Sequence, residues 1–198
     1  MTTKAALTSQ YILEIAAPIF NKNGYAATSL SDVTHATGLT KGAIYGNFKN
    51  KEDLAIASFV FTIKNMMKQI AHHLSKSDSP IEKLFLITDF YRNYYDYSKQ
   101  LGGCPILNIG VDSNNQNTLL LQKVKQVIER IQDQLATIIE DGIEAREISS
   151  EINAMYFAKR LDTMIQGAIF MTYTMDDDFY IKDTMDLIDD MIGKELKI

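Results

Sequence analysis

Between Thr28 and Lys51 the chain punctuates itself twice within a few residues. Thr28-Ser29-Leu30-Ser31-Asp32-Val33 opens one short helical stretch. Gly38-Leu39-Thr40-Lys41-Gly42-Ala43-Ile44-Tyr45-Gly46-Asn47-Phe48 turns and opens another. Gly38 takes a positive φ at little cost, and the Thr40 hydroxyl caps the helix that follows. Leu30, Val33, Leu39, Ile44 and Phe48 provide the apolar contacts between the two. Two short helices about a tight turn form a helix-turn-helix, which lays its second helix in the major groove of DNA. So early a placement leaves most of the 198 residues for sensing and dimerisation.

The rest of the chain reads as helix. It holds three prolines, and no window alternates cleanly enough for a strand. Thr8 or Ser9 is expected to cap a first helix with its apolar face at Ile12, Ile15, Ala16, Ile19 and Phe20. Pro18 should kink this helix and Gly24 should end it. A fourth helix is expected from Lys51 to about Ser75, long enough to act as one rigid lever. Pro80 starts an aromatic stretch to Leu101, and Gly102-Gly103-Cys104-Pro105 punctuates it. A short segment from Ile106 to Val111 and a polar loop, Asp112 to Asn115, precede a helix from about Asn117 to Ala145. Ser149 or Ser150 caps the next, reaching about Met175, and a last helix follows the acids at 176–178. The expectation is an all-α chain of about nine helices. Residues 1–50 would form the DNA-binding domain, and residues 51–198 an effector-binding and dimerisation domain.

Charge is divided unevenly. Residues 1–51 hold five lysines against Glu14 and Asp32, a net +3, so the remainder carries −8 of the chain's −5 total. A basic head on an acidic body suits a DNA-binding domain joined to something else. The single cysteine, Cys104, rules out an internal disulfide and reads as a small buried thiol beside a turn. His72, His73 and His35 make a poor metal set, since adjacent histidines on a helix diverge. No nucleophile–base pair, metal spacing or phosphate-binding loop marks an enzyme, and no cofactor is expected. With neither a leader-like stretch nor about 18 consecutive apolar residues, a cytoplasmic protein without membrane contact is expected.

From Ile12 to Leu54 the sequence resembles the tetracycline-repressor (TetR) family of bacterial regulators. Phe20, Gly24-Tyr25, Thr28-Ser29, Gly38 to Gly42, Tyr45, Phe48, Lys51 and Leu54 carry the resemblance. It implies an all-helical homodimer paired through its last two helices. It also implies a C-terminal domain that binds a small molecule and releases the protein, a repressor, from a near-palindromic operator. Two positions depart from the pattern. Thr34 stands where alanine is usual, and Gly46-Asn47 where a bulky aromatic or histidine often ends the reading helix.

On this reading Thr28, Ser29, Thr40, Lys41, Tyr45 and Lys51 meet phosphates, helped by the N-termini of the second and third helices. Lys4 adds a further phosphate contact. Gly42 permits close approach, Ala43 touches a thymine methyl and Asn47 bonds a base edge. The effector pocket is expected among Met66, Phe90, Tyr94, Cys104, Asn108, Phe157, Met164, Gln166 and Phe170. Most are apolar, with a few polar groups that need partners if buried. Each alone reads equally as core. Lacking a dominant charged cluster, the set points to an uncharged or hydrophobic effector. Gly102 to Asn115 is the expected moving part. A same-fold DNA-binding factor with no effector is the alternative, and a sealed core would favour it.

Overall fold

The computed structural model describes residues 4–114 and 116–198, so Asn115 of the expected polar loop lies outside the described residues. The helices are α1 (Lys4–Ala27), α2 (Leu30–Thr37), α3 (Lys41–Tyr45), α4 (Lys51–Leu74), α5 (Pro80–Arg92), α6 (Tyr94–Lys99), α7 (Pro105–Ser113), α8 (Thr118–Glu144), α9 (Ala154–Met175) and α10 (Phe179–Met191). A π-helical turn at Ile192–Leu196 follows. One isolated antiparallel bridge joins Ile148 and Lys197. The all-α expectation holds. Among the described residues ten helices replace nine because the aromatic stretch breaks at Asn93, whose N–H turns back onto Phe90 and Tyr91 carbonyls.

Local chemistry sets most boundaries. Ser79 caps α5, and Pro80 occupies its first turn, where a missing N–H costs nothing. Asn153 caps α9, in place of the expected Ser149 or Ser150. Thr8 and Ser9 lie inside α1 and do not cap it. Helical dihedrals run through Pro18, and the interruption of α1 falls at Gly24, with φ 80° and ψ 169°. Proline removes one hydrogen bond but keeps a helical φ, whereas this left-handed conformation strongly favours glycine. Asp112 and Ser113 extend α7 instead of forming a loop.

The described residues fall into two compact units. The first draws on the chain up to Met66 and on Ser98–Lys125. Its core buries Ile12, Ala16, Phe20, Val33, Ile44, Phe48, Leu54 and Ala55, so the helix-turn-helix packs on α1 and the start of α4. Helix α7 is seated on α1 by side-chain amides. Asn21 Nδ2 donates to the carbonyls of Leu101 (2.6 Å) and Gly103 (2.8 Å). Asn108 Nδ2 donates back to the carbonyls of Asn21 (2.9 Å) and Gly102 (3.1 Å).

The second unit draws on Met67–Tyr97 and Gln126–Ile198. Helix α10 packs on α5 and α9, burying Ile181, Met185 and Ile188. Arg92 bridges Asp186 (2.7 Å) and Asp189 (2.5 Å) across α5 and α10. Glu147, just beyond α8, accepts from the Ile81 N–H (2.9 Å) and the Ser79 hydroxyl (2.7 Å) at the start of α5. Those donors hold its carboxyl below the usual range.

Candidate nucleic-acid interface and ligand cavity

The helix-turn-helix is pinned at each end of α2. The Ser29 hydroxyl accepts from the Asp32 N–H (3.2 Å), and the Asp32 carboxylate accepts from the Ser29 N–H (2.7 Å). This reciprocal capping box satisfies two free helix-start donors. The Ser29 backbone and side-chain bonds hold the Asp32 carboxyl below its ordinary value. At the other end Gly38 closes the helix in the left-handed region at φ 67°, and the Tyr11 phenol donates to the Thr37 carbonyl at 3.0 Å. Thr34, the first departure from the family pattern, donates its hydroxyl to the Ser31 carbonyl at 2.9 Å. The extra polar group is thereby satisfied without disturbing Val33, which is buried.

Thr40 caps α3 by accepting from the Ala43 N–H at 3.2 Å. Thr40, Lys41, Gly42 and Tyr45 are exposed, and Ala43 is half-buried. Open space surrounds Gly42, where an added Cβ would meet only Thr40 Oγ1 at 3.8 Å. Three expected contact residues are engaged within the protein. Thr28 is buried and donates its hydroxyl to the Gly24 carbonyl at 2.7 Å. Asn47 donates Nδ2 to the Ala43 carbonyl (2.9 Å) and accepts from the Ser9 hydroxyl (2.7 Å), so both ends of its amide are used. The Lys51 ammonium lies 4.4 Å from the centroid of the Tyr25 ring and 3.4 Å from the Ala26 carbonyl. The Lys4 side chain lies outside the described residues.

A cavity of about 60 Å³ lies within the second unit. Four helices line it: Met67, Ile70 and Leu74 from α4, Ile87 and Tyr91 from α5, Ile131, Gln134, Leu135 and Ile138 from α8, and Asp162 and Ile165 from α9. A wider cleft of about 510 Å³ shares Met67, Ile70, Leu74, Gln134 and Ile138 with it and adds Asp78 and Lys83.

The nine expected effector contacts do not converge on this space. Met66, Cys104 and Asn108 belong to the first unit. There Met66 and Cys104 are buried, and Asn108 braces α1. In the second unit Tyr94 and Phe157 are buried, Phe90 and Met164 are half-buried, and Phe170 is exposed. Gln166 reaches the cavity only indirectly, by donating to Asp162. Sequence reasoning missed the lining itself. Its visible signals were the α8 stripe of Ile131, Leu135 and Ile138 and the lone acid Asp162 between Leu161 and Ile165.

Among the described residues no helix is long and apolar enough to cross a membrane, and no group of three potential ligands could hold a metal.

Comparison with known proteins bears on this arrangement. Residues 12–57 match the model of bacterial regulatory proteins of the tetR family, and residues 80–188 match the tetracyclin repressor-like C-terminal domain. The HTH-type transcriptional regulator YhgD of Bacillus subtilis is 33% identical over 69% of this chain and 70% of its own. A TetR-family regulator from Cytophaga hutchinsonii superposes with a TM-score of 0.92 at 31% identity, covering 100% of this chain and 98% of that one. The regulator FadR of Bacillus subtilis, solved in complex with stearoyl-CoA, has a TM-score of 0.76 at 19% identity over 93% and 97% of the two chains. That likeness is one of fold. The family consists of regulators, not enzymes. With its capped helix-turn-helix followed by a helical domain, this chain belongs to the TetR family of DNA-binding transcriptional regulators.

Proposed function

We propose that this regulator is a homodimeric repressor that a small hydrophobic molecule releases from a near-palindromic operator. The observation that carries the reading is the apolar cavity walled by four helices of the second unit. A sealed core would instead have favoured the alternative, a same-fold regulator without an effector. The neighbouring fold of FadR, solved with stearoyl-CoA, supports a ligand of hydrophobic character. On this reading residues 1–50 form the DNA-binding domain, residues 51–198 bind the effector and dimerise, and the protein works in the cytoplasm.

On the DNA side Ser29, Thr40, Lys41 and Tyr45 meet phosphates, with Gly42 allowing close approach and Ala43 facing a thymine methyl. Thr28 and Asn47 hold the frame from within. Lys51 contacts a phosphate after leaving the Tyr25 ring. One short reading helix specifies too little sequence alone, so a dimer reads two half-sites about 34–36 Å apart or at a related spacing. The last two helices supply the dimer face. Tyr156, Phe170 and Met175 of α9 and Phe179 and Leu187 of α10 leave large apolar side chains exposed, and Gly167 between them has open space above it. Large apolar side chains left exposed on two helices that pack together suit an interaction surface.

The test is release. Genomic fragments retained by the protein supply the operator, and the complex is challenged with hydrophobic compounds. Release that disappears in the cavity-filling variant Leu135→Trp supports the reading. Release that is identical in the variant, or no release by any compound, overturns it.

A further inference from the structure

We propose that the effector is a hydrophobic ammonium, whose cationic head pairs with Asp162 in the cavity while its apolar body runs into the wider cleft that shares the cavity's lining. The inference rests on the cavity reading above and adds the charge of the ligand.

Asp162 is only 4% exposed and stands on α9 beside buried Leu161 and Ile165. Two neutral amides hold its carboxylate. Gln132 Nε2 donates to Oδ2 at 2.8 Å, and Gln166 Nε2 donates to Oδ1 at 3.2 Å. These bonds fix the orientation of the carboxylate and leave its charge unmatched. The ion pairs of this unit are made elsewhere, by Asp89, Asp178, Asp186, Asp189, Asp190 and Glu195. A carboxylate withdrawn from water without a cation is unfavourable. Here it lines a cavity otherwise walled mainly by aliphatic side chains.

A ligand ammonium entering this space would meet Asp162, the acid among the described lining residues. Charge-assisted hydrogen bonds of this type are roughly twice as strong as neutral ones. Tyr91, another lining residue, is of the class that holds cations against its ring face. A ligand with a carboxylate head would bring like charge to Asp162. The wider cleft carries one charge of each sign, Asp78 and Lys83, and so imposes no opposing preference.

The experiment is calorimetric titration of the full-length protein with decylammonium, decanol and decanoate, which share a chain and differ in head charge. Decylammonium should bind about tenfold more tightly than decanol, and decanoate more weakly than either. Asp162→Asn should abolish the ammonium preference, bringing decylammonium to the affinity of decanol. Should that variant fail to fold, Ile138→Lys places an ammonium in the cavity and should block decylammonium, whereas Ile138→Met should not. Equal binding of all three heads, or a preference that survives Asp162→Asn, overturns the charge assignment and leaves the cavity standing. Failure of all three to bind overturns the cavity reading and the inference with it.

Discussion

The Asp112 carboxylate accepts a hydrogen bond from the backbone N–H of Tyr25 at 2.6 Å, immediately beyond the interruption of α1. The bond ties the end of the first helix of the DNA-binding segment to α7. It fits because the preceding residue, Gly24, has no side chain. A Cβ there would sit 2.6 Å from Asp112 Oδ1 and would be held at φ 80°.

Gly24→Ala should therefore lose about 1–3 kcal/mol of stability, through backbone strain and contact together. Chemical denaturation measures it. Adding Asp112→Ala removes the contact but not the strain and forfeits the bond to Tyr25, so the double variant should lose less than the sum of the two single losses. Full additivity of the two changes would show that Asp112 and Gly24 do not interact.

Ser29→Ala should cost about 1 kcal/mol as a lost helix cap. It should also change the acid limb of the stability curve. The Asp32 carboxyl is held below its ordinary value chiefly by its bonds to Ser29. Its stabilising contribution is present above the unfolded value and is lost as pH falls through the lower folded one. The variant keeps the Ser29 backbone bond, the larger cause, and loses the side-chain one, so it should lose slightly less stability on acidification than the parent. Parallel pH profiles would contradict this.

Lys41→Ala should weaken binding to every DNA sequence alike and flatten the salt dependence by about one unit of slope. Its exposed side chain makes this a test of contact. Ile44→Ala, at a buried position, should instead destabilise the fold by about 2–5 kcal/mol. Thermal melting beside the binding curve separates the two.

Phe170→Glu should convert the dimer to a monomer, because a charge would replace an apolar side chain that is 50% exposed on α9. Sedimentation velocity reads the change, and operator affinity should fall with it. An unaltered dimer would move the interface elsewhere.

The helix-turn-helix was legible because its signals are local: a hydroxyl cap at Ser29, another at Thr40 and a glycine between them. What escaped the sequence depends on distant partners. Asn47 is engaged by Ser9, 38 residues earlier. Thr28 resembles an exposed hydroxyl until the fold is seen to bury it against the Gly24 carbonyl. The cavity escaped for the same reason, since each wall is an ordinary apolar stripe and only the convergence of α4, α5, α8 and α9 makes a space. Aromatic richness drew attention to Phe90 and Tyr94, which pack against Tyr91 and Tyr97 in a cluster of rings. Among the residues lining the cavity, Asp162, an acid amid aliphatic residues, is the one the sequence pattern itself marks.

The central claim is sequence-specific DNA recognition by the segment from Ser29 to Lys51. Fluorescence anisotropy with DNA from upstream of the protein's own gene, at two salt concentrations and against scrambled competitor, tests it most directly. Once fragments retained from the genome have defined an operator, the same assay is run on that DNA. The account predicts tight binding that survives the competitor and weakens with salt. Binding that scrambled DNA displaces equally well, even on the selected fragments, would contradict it.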